Sequence, residues 1–362
     1  MTPDHDVRKS NPAAILLLVS AFLLLACDTD IPMPETGNST RATTGLGPVH
    51  LALVFNERDP HSRLIAEYYS AKRRIPARNI IPVSFDPASH VMRPEVFRQM
   101  RDEIEQRLPA GIQAYALAWT APYRVGCMSV TTAFAAGFDA DFCAATCTAT
   151  RHNPYFDSDS TQPWDDHGWR PAMLLAGSDI EATKALIDRG VAADGTSPAG
   201  TGYLVSTSDS ARNVRARYYN GILLMQSDRF RLRLVRRNTL RFREDIMFYF
   251  TGLANVAGLE TNTFRPGAIA DHLTSAGGRL LPDGAQMSSL RWLDAGATGS
   301  YGAVTEPCNF PQKFPRPDIL IDRYLDGETL IEAYWKSVEW PGQGVFIGEP
   351  LAAPFRTGAG SP

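Results

Sequence analysis

The chain lacks an excess of charge of either sign. Lys and Arg number 36 against 39 Asp and Glu, a formal net charge of −3, so no broadly basic character marks a nucleic-acid partner. It also lacks an apolar run suited to spanning a membrane as a helix. The candidate, AAILLLVSAFLLLA at residues 13–26, has 14 residues, whereas a spanning helix needs about 20. No internal repeat and no second linker follow Gly47, which favours one large domain over several. Cysteine is scarce, with five in 362 residues, so each one carries information.

What is present begins at the N-terminus. Arg8 and Lys9 precede the apolar run, which fits the h-region of a signal peptide. The run ends in Leu24-Leu25-Ala26-Cys27, which resembles a bacterial lipobox. That resemblance implies cleavage before Cys27 and acylation of its thiol, and two or three acyl chains there give stable anchoring. Residues 28–47 (DTDIPMPETGNSTRATTGLG) are polar, rich in Pro, Gly and Thr, and aperiodic; they read as a flexible tether. The expected organisation is a signal peptide at 1–26, a lipidated Cys27 with tether at 27–47, and one domain at 48–362. Export would place Cys127, Cys143, Cys147 and Cys308 in an oxidising compartment. Their even number predicts two disulfides, with three connectivities open.

From residue 49 strand and helix signals alternate. VHLALVF (49–55), NIIPVSF (79–85) and IQAYALAW (112–119) are strands, and the first is apolar enough to be buried on both faces. Between them lie a helix capped by Asp59-Pro60, with Leu64, Ile65, Tyr68 and Tyr69 on its apolar face, and a helix over 93–108 carrying Val96, Phe97, Met100 and Ile104. A Cys- and Asp-rich insertion occupies about 120–170. Alternation then resumes with PAMLLAG, a helix over 179–189, GYLVST and a helix over 209–225. Strands follow at 245–252 and 267–275, then a short helix ending at Gly296, a strand at 297–304, one long helix over 324–338 and a final strand GVFIGEP. This order predicts an α/β fold, a mostly parallel sheet with helices on both faces in three layers.

In such sheets ligands bind beyond the carboxyl ends of the strands. The residues that follow the apolar runs are therefore the candidate rim: Asn56, Thr251, Gly252, Thr274, Gly277, Gly278 and Glu306. The stretches NERDPHSRLIAEYYSAKRRIP, GAIADHLTSAGG, GATGSYGAVTEPCNFPQKFP and TLIEAYWKSVEWPGQGVFIGEPLAAPF together resemble a family of exported bacterial proteins without an assigned function. More distantly, the arrangement resembles the gingipain and caspase class of cysteine peptidases, which implies a caspase-like, Rossmann-like α/β fold. That class carries a His-Gly pair at the end of one strand and the nucleophilic Cys at the end of the next. Here those positions read Thr251-Gly252 and Thr274-Ser275-Ala276-Gly277-Gly278, so the resemblance implies the fold without the usual dyad.

Other chemistries have candidates. A peptidase-like hydrolase could use Cys308 with His272, or Ser275 with His272, since a nucleophile and its base must reach one point. The bland alternative for His272 is a packed, hydrogen-bonded side chain. Cys127, Cys143, Cys147 and His152 have tolerable zinc spacing, although oxidation of the thiols is the expected outcome. Asp157, Asp159, Asp165 and Asp166 could offer oxygens to Ca²⁺, but no EF-hand spacing is present. Residues 229–243, RFRLRLVRRNTLRFR, hold seven arginines. Arg229, Arg231 and Arg233 alternate with apolar residues and suggest a half-exposed strand. Its role is either edge protection or docking to an anionic envelope component or a protein partner. The expected whole is an envelope-anchored lipoprotein attached to a membrane through its N-terminal lipid.

Overall fold

The structure, a computed structural model, describes residues 45–144, 146–226, 228–281 and 286–357; Cys27 and the signal segment lie outside them. In chain order the strands are β1 (Leu51–Asn56), β2 (Ile80–Val83), β3 (Val91–Met92), β4 (Ala114–Leu117), β5 (Arg124–Val125), β6 (Met128–Ser129), β7 (Ala172–Leu174), β8 (Thr201–Ser206), β9 (Leu232–Arg236), β10 (Ile246–Thr251), β11 (Phe264–His272), β12 (Gly299–Ala303) and β13 (Gly344–Gly348). The helices are α1 (Pro60–Arg73), α2 (Pro94–Glu105), α3 (Val130–Ala136), α4 (Pro163–His167), α5 (Ile180–Ala193), α6 (Tyr219–Gln226), α7 (Leu290–Asp294), α8 (Pro317–Leu325) and α9 (Leu330–Lys336).

The central sheet has ten strands in the order β2-β1-β4-β7-β13-β12-β11-β10-β8-β9. Every neighbouring pair is parallel except β12 and β13. The sheet is therefore two five-stranded parallel halves that run in opposite directions and meet at one antiparallel seam. Numbered in chain order within each half, both halves run 2-1-3-4-5 from the free edge to the seam. Strands such as β10 (IMFYFT) are buried along their whole length, as a continuous apolar run with helices on both sides requires. Helices α1, α5 and α7 pack on one face, and α3, α8 and α9 on the other, which makes the three-layer α/β arrangement. A small sheet, β3-β5-β6, sits apart.

Asp59 caps α1 by accepting the His61 amide N–H at 3.0 Å, with Pro60 in the first turn. Ile65 and Tyr69 face the core, but Leu64 is 46 % exposed and lies off the expected apolar stripe. The expected helix over 324–338 is two helices. Gly327 breaks it in the left-handed region at φ 87°, and Thr329 restarts it with a capping box to Glu332. The region 120–170 is not a peripheral insertion alone: α3 is buried against β7 and β13 and serves as the crossover from β4 to β7. Gly45 to Gly47, expected in the tether, belong to the fold: Leu46 is buried and its amide N–H donates to Glu332 at 3.2 Å. Among the described residues no helix is long and apolar enough to cross a membrane.

The chain's last strand completes its first half, and a buried ion pair secures it. Beyond β13, Glu349 is fully buried. It accepts from Arg73 Nε at 2.9 Å and from the Tyr69 hydroxyl at 2.8 Å, while its other oxygen pairs with the Arg73 guanidinium. Arg73 also pairs with Asp194 at the end of α5. Gly190 makes room, since a Cβ there would lie 2.5 Å from Glu349. Replacing Glu349 by Ala strands a buried guanidinium and should cost about 3–5 kcal/mol. Removing Asp188, the exposed partner of Lys72, should cost less than about 1 kcal/mol. Urea unfolding of the two variants measures both, and equal losses would refute the assignment.

Candidate functional site

Because the halves are antiparallel, their strands end at opposite edges of the sheet. The residues after the apolar runs therefore form two sets rather than the single rim expected from sequence. Each half has a topological switch point, between β1 and β4 and between β8 and β10, where ligand crevices occur.

Near the first lies a cavity of about 300 Å³ lined by Asp59, His61, Trp119, Thr120, Ser178 and Asp179 among others. Asp59, Asp179 and Ser178 have structural partners. Asp59 and Asp179 cap α1 and α5, Asp179 accepting the Ala182 amide at 2.8 Å. The Ser178 hydroxyl donates to Asp294 at 3.0 Å. Asn56 is not on this rim. It is buried, and its side chain closes a turn by donating to the Phe85 carbonyl at 3.1 Å and accepting the Arg58 and Phe85 amides.

The second cleft, about 260 Å³, lies beyond β11 and β12 and is lined by Arg212, Thr274, Ser275, Glu306, Cys308 and Asn309, with Cys147 beside them. Thr274, Ser275, Glu306 and Cys308 thus converge as the strand-end argument expected. Arg212 Nε donates to the Thr274 hydroxyl at 2.9 Å, and Nη1 to Asp209 at 2.9 Å. Thr274 in turn donates to Gln286 Oε1 at 2.7 Å, which also takes the Ala276 amide at 2.8 Å. Glu306 accepts the Cys308 amide at 2.7 Å. This shapes Cys308, whose φ of 54° is uncommon for a residue with a side chain.

The other rim candidates are packing positions. Arg212 crosses the Thr251-Gly252 turn so closely that a Cβ on Gly252 would lie 1.9 Å from its carbonyl oxygen. The carbonyls of that turn accept from Arg215 at 2.8 Å and from Thr207 at 2.7 Å. Gly277 and Gly278 lie backbone to backbone on β12, where a Cβ on Gly278 would be 2.3 Å from the Gly302 oxygen.

The two disulfides join Cys127 to Cys143 and Cys147 to Cys308, with Cα separations of 5.7 and 5.5 Å. Cys308 therefore has no thiol to act as a nucleophile. His272 is not beside it. Trp292 Nε1–H donates to His272 Nδ1 at 2.9 Å, and His272 Nε2 lies 3.0 Å from the Met287 carbonyl. Indole only donates and a carbonyl only accepts, so the proton sits on Nε2 and both nitrogens are engaged. Complete burial pushes the His272 pKa down to about 4. Ser275 sits in the bend beyond β11, away from this ring. Neither Cys308 nor Ser275 has His272 as a base.

Most residues of the metal alternatives have other partners. The three cysteines of the zinc set are in disulfides. Asp157 and Asp159 pair with Arg323 at 3.0 and 2.7 Å, Asp165 accepts from Gln113 at 2.9 Å, and Asp166 from Ser160 at 2.6 Å. No group of three or more His, Cys, Asp or Glu converges among the described residues. Comparison with family models, with curated proteins and with solved structures returns no match, so the cleft is argued from its own residues. Arg212 and Gln286 are the members that sequence reasoning missed. Arg212 had a signal, since it lies in the first turn of the helix expected over 209–225, just beyond the strand GYLVST, whereas Gln286 had none.

Two measurements test this geometry. Cys147–Cys308 closes a loop of 161 residues, for which chain entropy predicts at most about 5 kcal/mol, against about 3 kcal/mol for the 16-residue Cys127–Cys143 loop. The paired variant Cys147→Ser with Cys308→Ser should lose more stability in urea than Cys127→Ser with Cys143→Ser; the reverse order would contradict the pairing. His272, at about 4 when folded and 6.5 in the reference state, contributes stability above pH 6.5 that is lost as pH falls towards 4. The loss is about 3 kcal/mol, because only the unfolded chain takes up the proton. His272→Gln should flatten the stability–pH curve over that window, and an unchanged slope would count against the neutral, buried imidazole.

Proposed function

We propose that this chain is an exported, lipid-anchored protein of a bacterial cell envelope. Its caspase-like α/β domain binds a ligand rather than cleaving one. The observation that carries the reading is the state of the two positions where the related peptidases hold their dyad. Thr251-Gly252 is covered by the Arg212 backbone, and Thr274 is tied to Arg212 and Gln286. The two cysteines that line the cleft, Cys147 and Cys308, are joined in a disulfide. The parallel neighbours β10 and β11, third and fourth in their half, support the strand correspondence on which this comparison rests.

What remains in the cleft is recognition chemistry. Arg212, with Nε and Nη1 engaged, offers its remaining nitrogen Nη2, and Glu306 and Ser275 add a carboxylate and a hydroxyl to the same lining. A ligand with both a carboxylate and an ammonium group, the size of an amino acid or a peptide terminus, matches that pair of signs. The lipobox-like Cys27 and the two disulfides support an oxidising, membrane-proximal setting.

Cells fed a labelled fatty acid should acylate the full chain and not Cys27→Ser. Purified under non-reducing conditions, the protein should take up no iodoacetamide at Cys308 and leave peptide substrates intact. Short zwitterionic peptides at about 100-fold their Kd should stabilise it by about 2.7 kcal/mol, an effect lost in Arg212→Ala. Peptide hydrolysis by the unreduced protein, or the absence of acylation, would overturn the reading.

A further inference from the structure

The free edge of the second half of the sheet carries a surface that neither the fold nor the cleft uses. Among the described residues strand β9 pairs only with β8. The stretch 229–243 around it has seven arginines and no acidic residue. Two of the seven are bound internally: Arg229 pairs with Asp322 on α8 and with Asp326 at its C-terminal cap, and Arg231 with Asp245 at 3.0 Å. Arg233, Arg236, Arg237 and Arg241 are exposed. For Arg236, Arg237 and Arg241 no carboxylate partner occurs among the described residues. Asp228 and Glu244 are also exposed at the ends of the segment, too few to neutralise the rest.

Flanking these charges are the two most exposed large apolar side chains among the described residues. Leu224, on the helix α6 that packs against β9, is 85 % exposed, and Phe242, in the loop after β9, is 76 % exposed. Phe242 is held outward at a cost. Its φ is 55°, a conformation that bulky residues rarely adopt. The backbone around it is fixed there: the Phe242 amide donates to Thr261 at 3.3 Å, the Arg243 amide to Asn262 at 3.0 Å and the Thr263 amide to the Arg243 carbonyl at 2.7 Å. Strain that keeps an aromatic ring in solvent points to a role for the ring.

Arginines interleaved with protruding apolar residues match the interface of an anionic bilayer, where guanidinium meets phosphate and the apolar groups enter the headgroup layer. A partner strand fits less well, because a charged edge resists strand addition. We propose that the β9 edge docks this domain on an anionic phospholipid surface, through Arg233, Arg236, Arg237 and Arg241 with Leu224 and Phe242 as apolar contacts. The inference leans on the proposed lipid anchor for its setting. The 17 residues from Asp28 to Thr44 reach about 60 Å at most, which keeps the domain within range of the membrane that holds Cys27. Docking would then be a second, weaker attachment that orients the domain and its cleft.

The test uses the unit Thr43–Pro362, which contains every described element, so that no acyl chain contributes. It should sediment with vesicles containing phosphatidylglycerol and not with pure phosphatidylcholine, and added salt should release it. Each arginine removed should weaken binding about fivefold, so Arg236→Gln with Arg237→Gln should weaken it about 25-fold. Phe242→Ser should lower binding while leaving the thermal midpoint of this exposed site unchanged or raised. Equal binding to both vesicles, no binding to either, or an unaltered double variant would overturn the proposal. So would binding to soluble polyglutamate with no vesicle preference, which would indicate an acidic polymer instead. None of these outcomes depends on acylation of Cys27 or on peptide hydrolysis, so this proposal and the functional one fail separately.

Discussion

The buried contact between Arg73 and Glu349 joins residues 276 apart in sequence, and the rest of the first half depends on it. Strand β13 is the last strand made, yet it belongs beside β7, the strand that closes the chain's first run of alternation. Until Glu349 arrives, Arg73 has its neighbouring Asp194 but lacks its main buried counter-charge. Neither partner can be placed alone without a large desolvation cost. The pair therefore sets where the sheet closes, how α1 lies on α5, and why position 190 is glycine.

Closing the first half with the end of the chain has a second consequence. Strand β13 must run parallel to β7 and antiparallel to β12, so the halves point in opposite directions and their ligand-binding ends separate. The two crevices are then unequal. The first is walled by helix caps whose carboxylates already serve backbone amides. The second gathers a cation, an anion and a hydroxyl in its lining, although Arg212 and Glu306 also make local hydrogen bonds, and Cys147–Cys308 draws residues from the region after β4 across the seam to build it. The cleft is thus made by both halves although it lies at the strand ends of one.

Much of this was legible in sequence, for identifiable reasons. Strands buried on both faces write themselves as apolar runs, so β1, β4, β7 and β10 could be read, and Asp59-Pro60 announced α1. The break at Gly327 was missed, because the longer apolar period of 324–338 concealed the capping box of Thr329 and Glu332. Helix α3 was not legible either, because VTTAFAA is short and buried on every side and so has no amphipathic stripe. The reversal at β13 could not be read, since a run such as GVFIG is the same whichever way its neighbour points. Among the candidate residues, Thr274, Ser275, Glu306 and Cys308 were found because they follow strands. Asn56, Gly252, Gly277 and Gly278 were equally placed but serve packing, a distinction that only backbone distances make.

The same logic accounts for the fate of His272. It stands at the end of a central strand, the place where a catalytic base would be useful. The ring, however, is turned onto the α7 face between an indole donor and a carbonyl acceptor. A base needs a lone pair directed at solvent or substrate and a pKa near the working pH. Burial has removed the second, and Trp292 occupies the first. A Cys308–His272 dyad would require opening a disulfide and also unpacking a histidine from the core. The disulfide lines the cleft while the histidine lies in the core, so the lack of a Cys–His pair follows from the packing of the domain as a whole rather than from one missing residue.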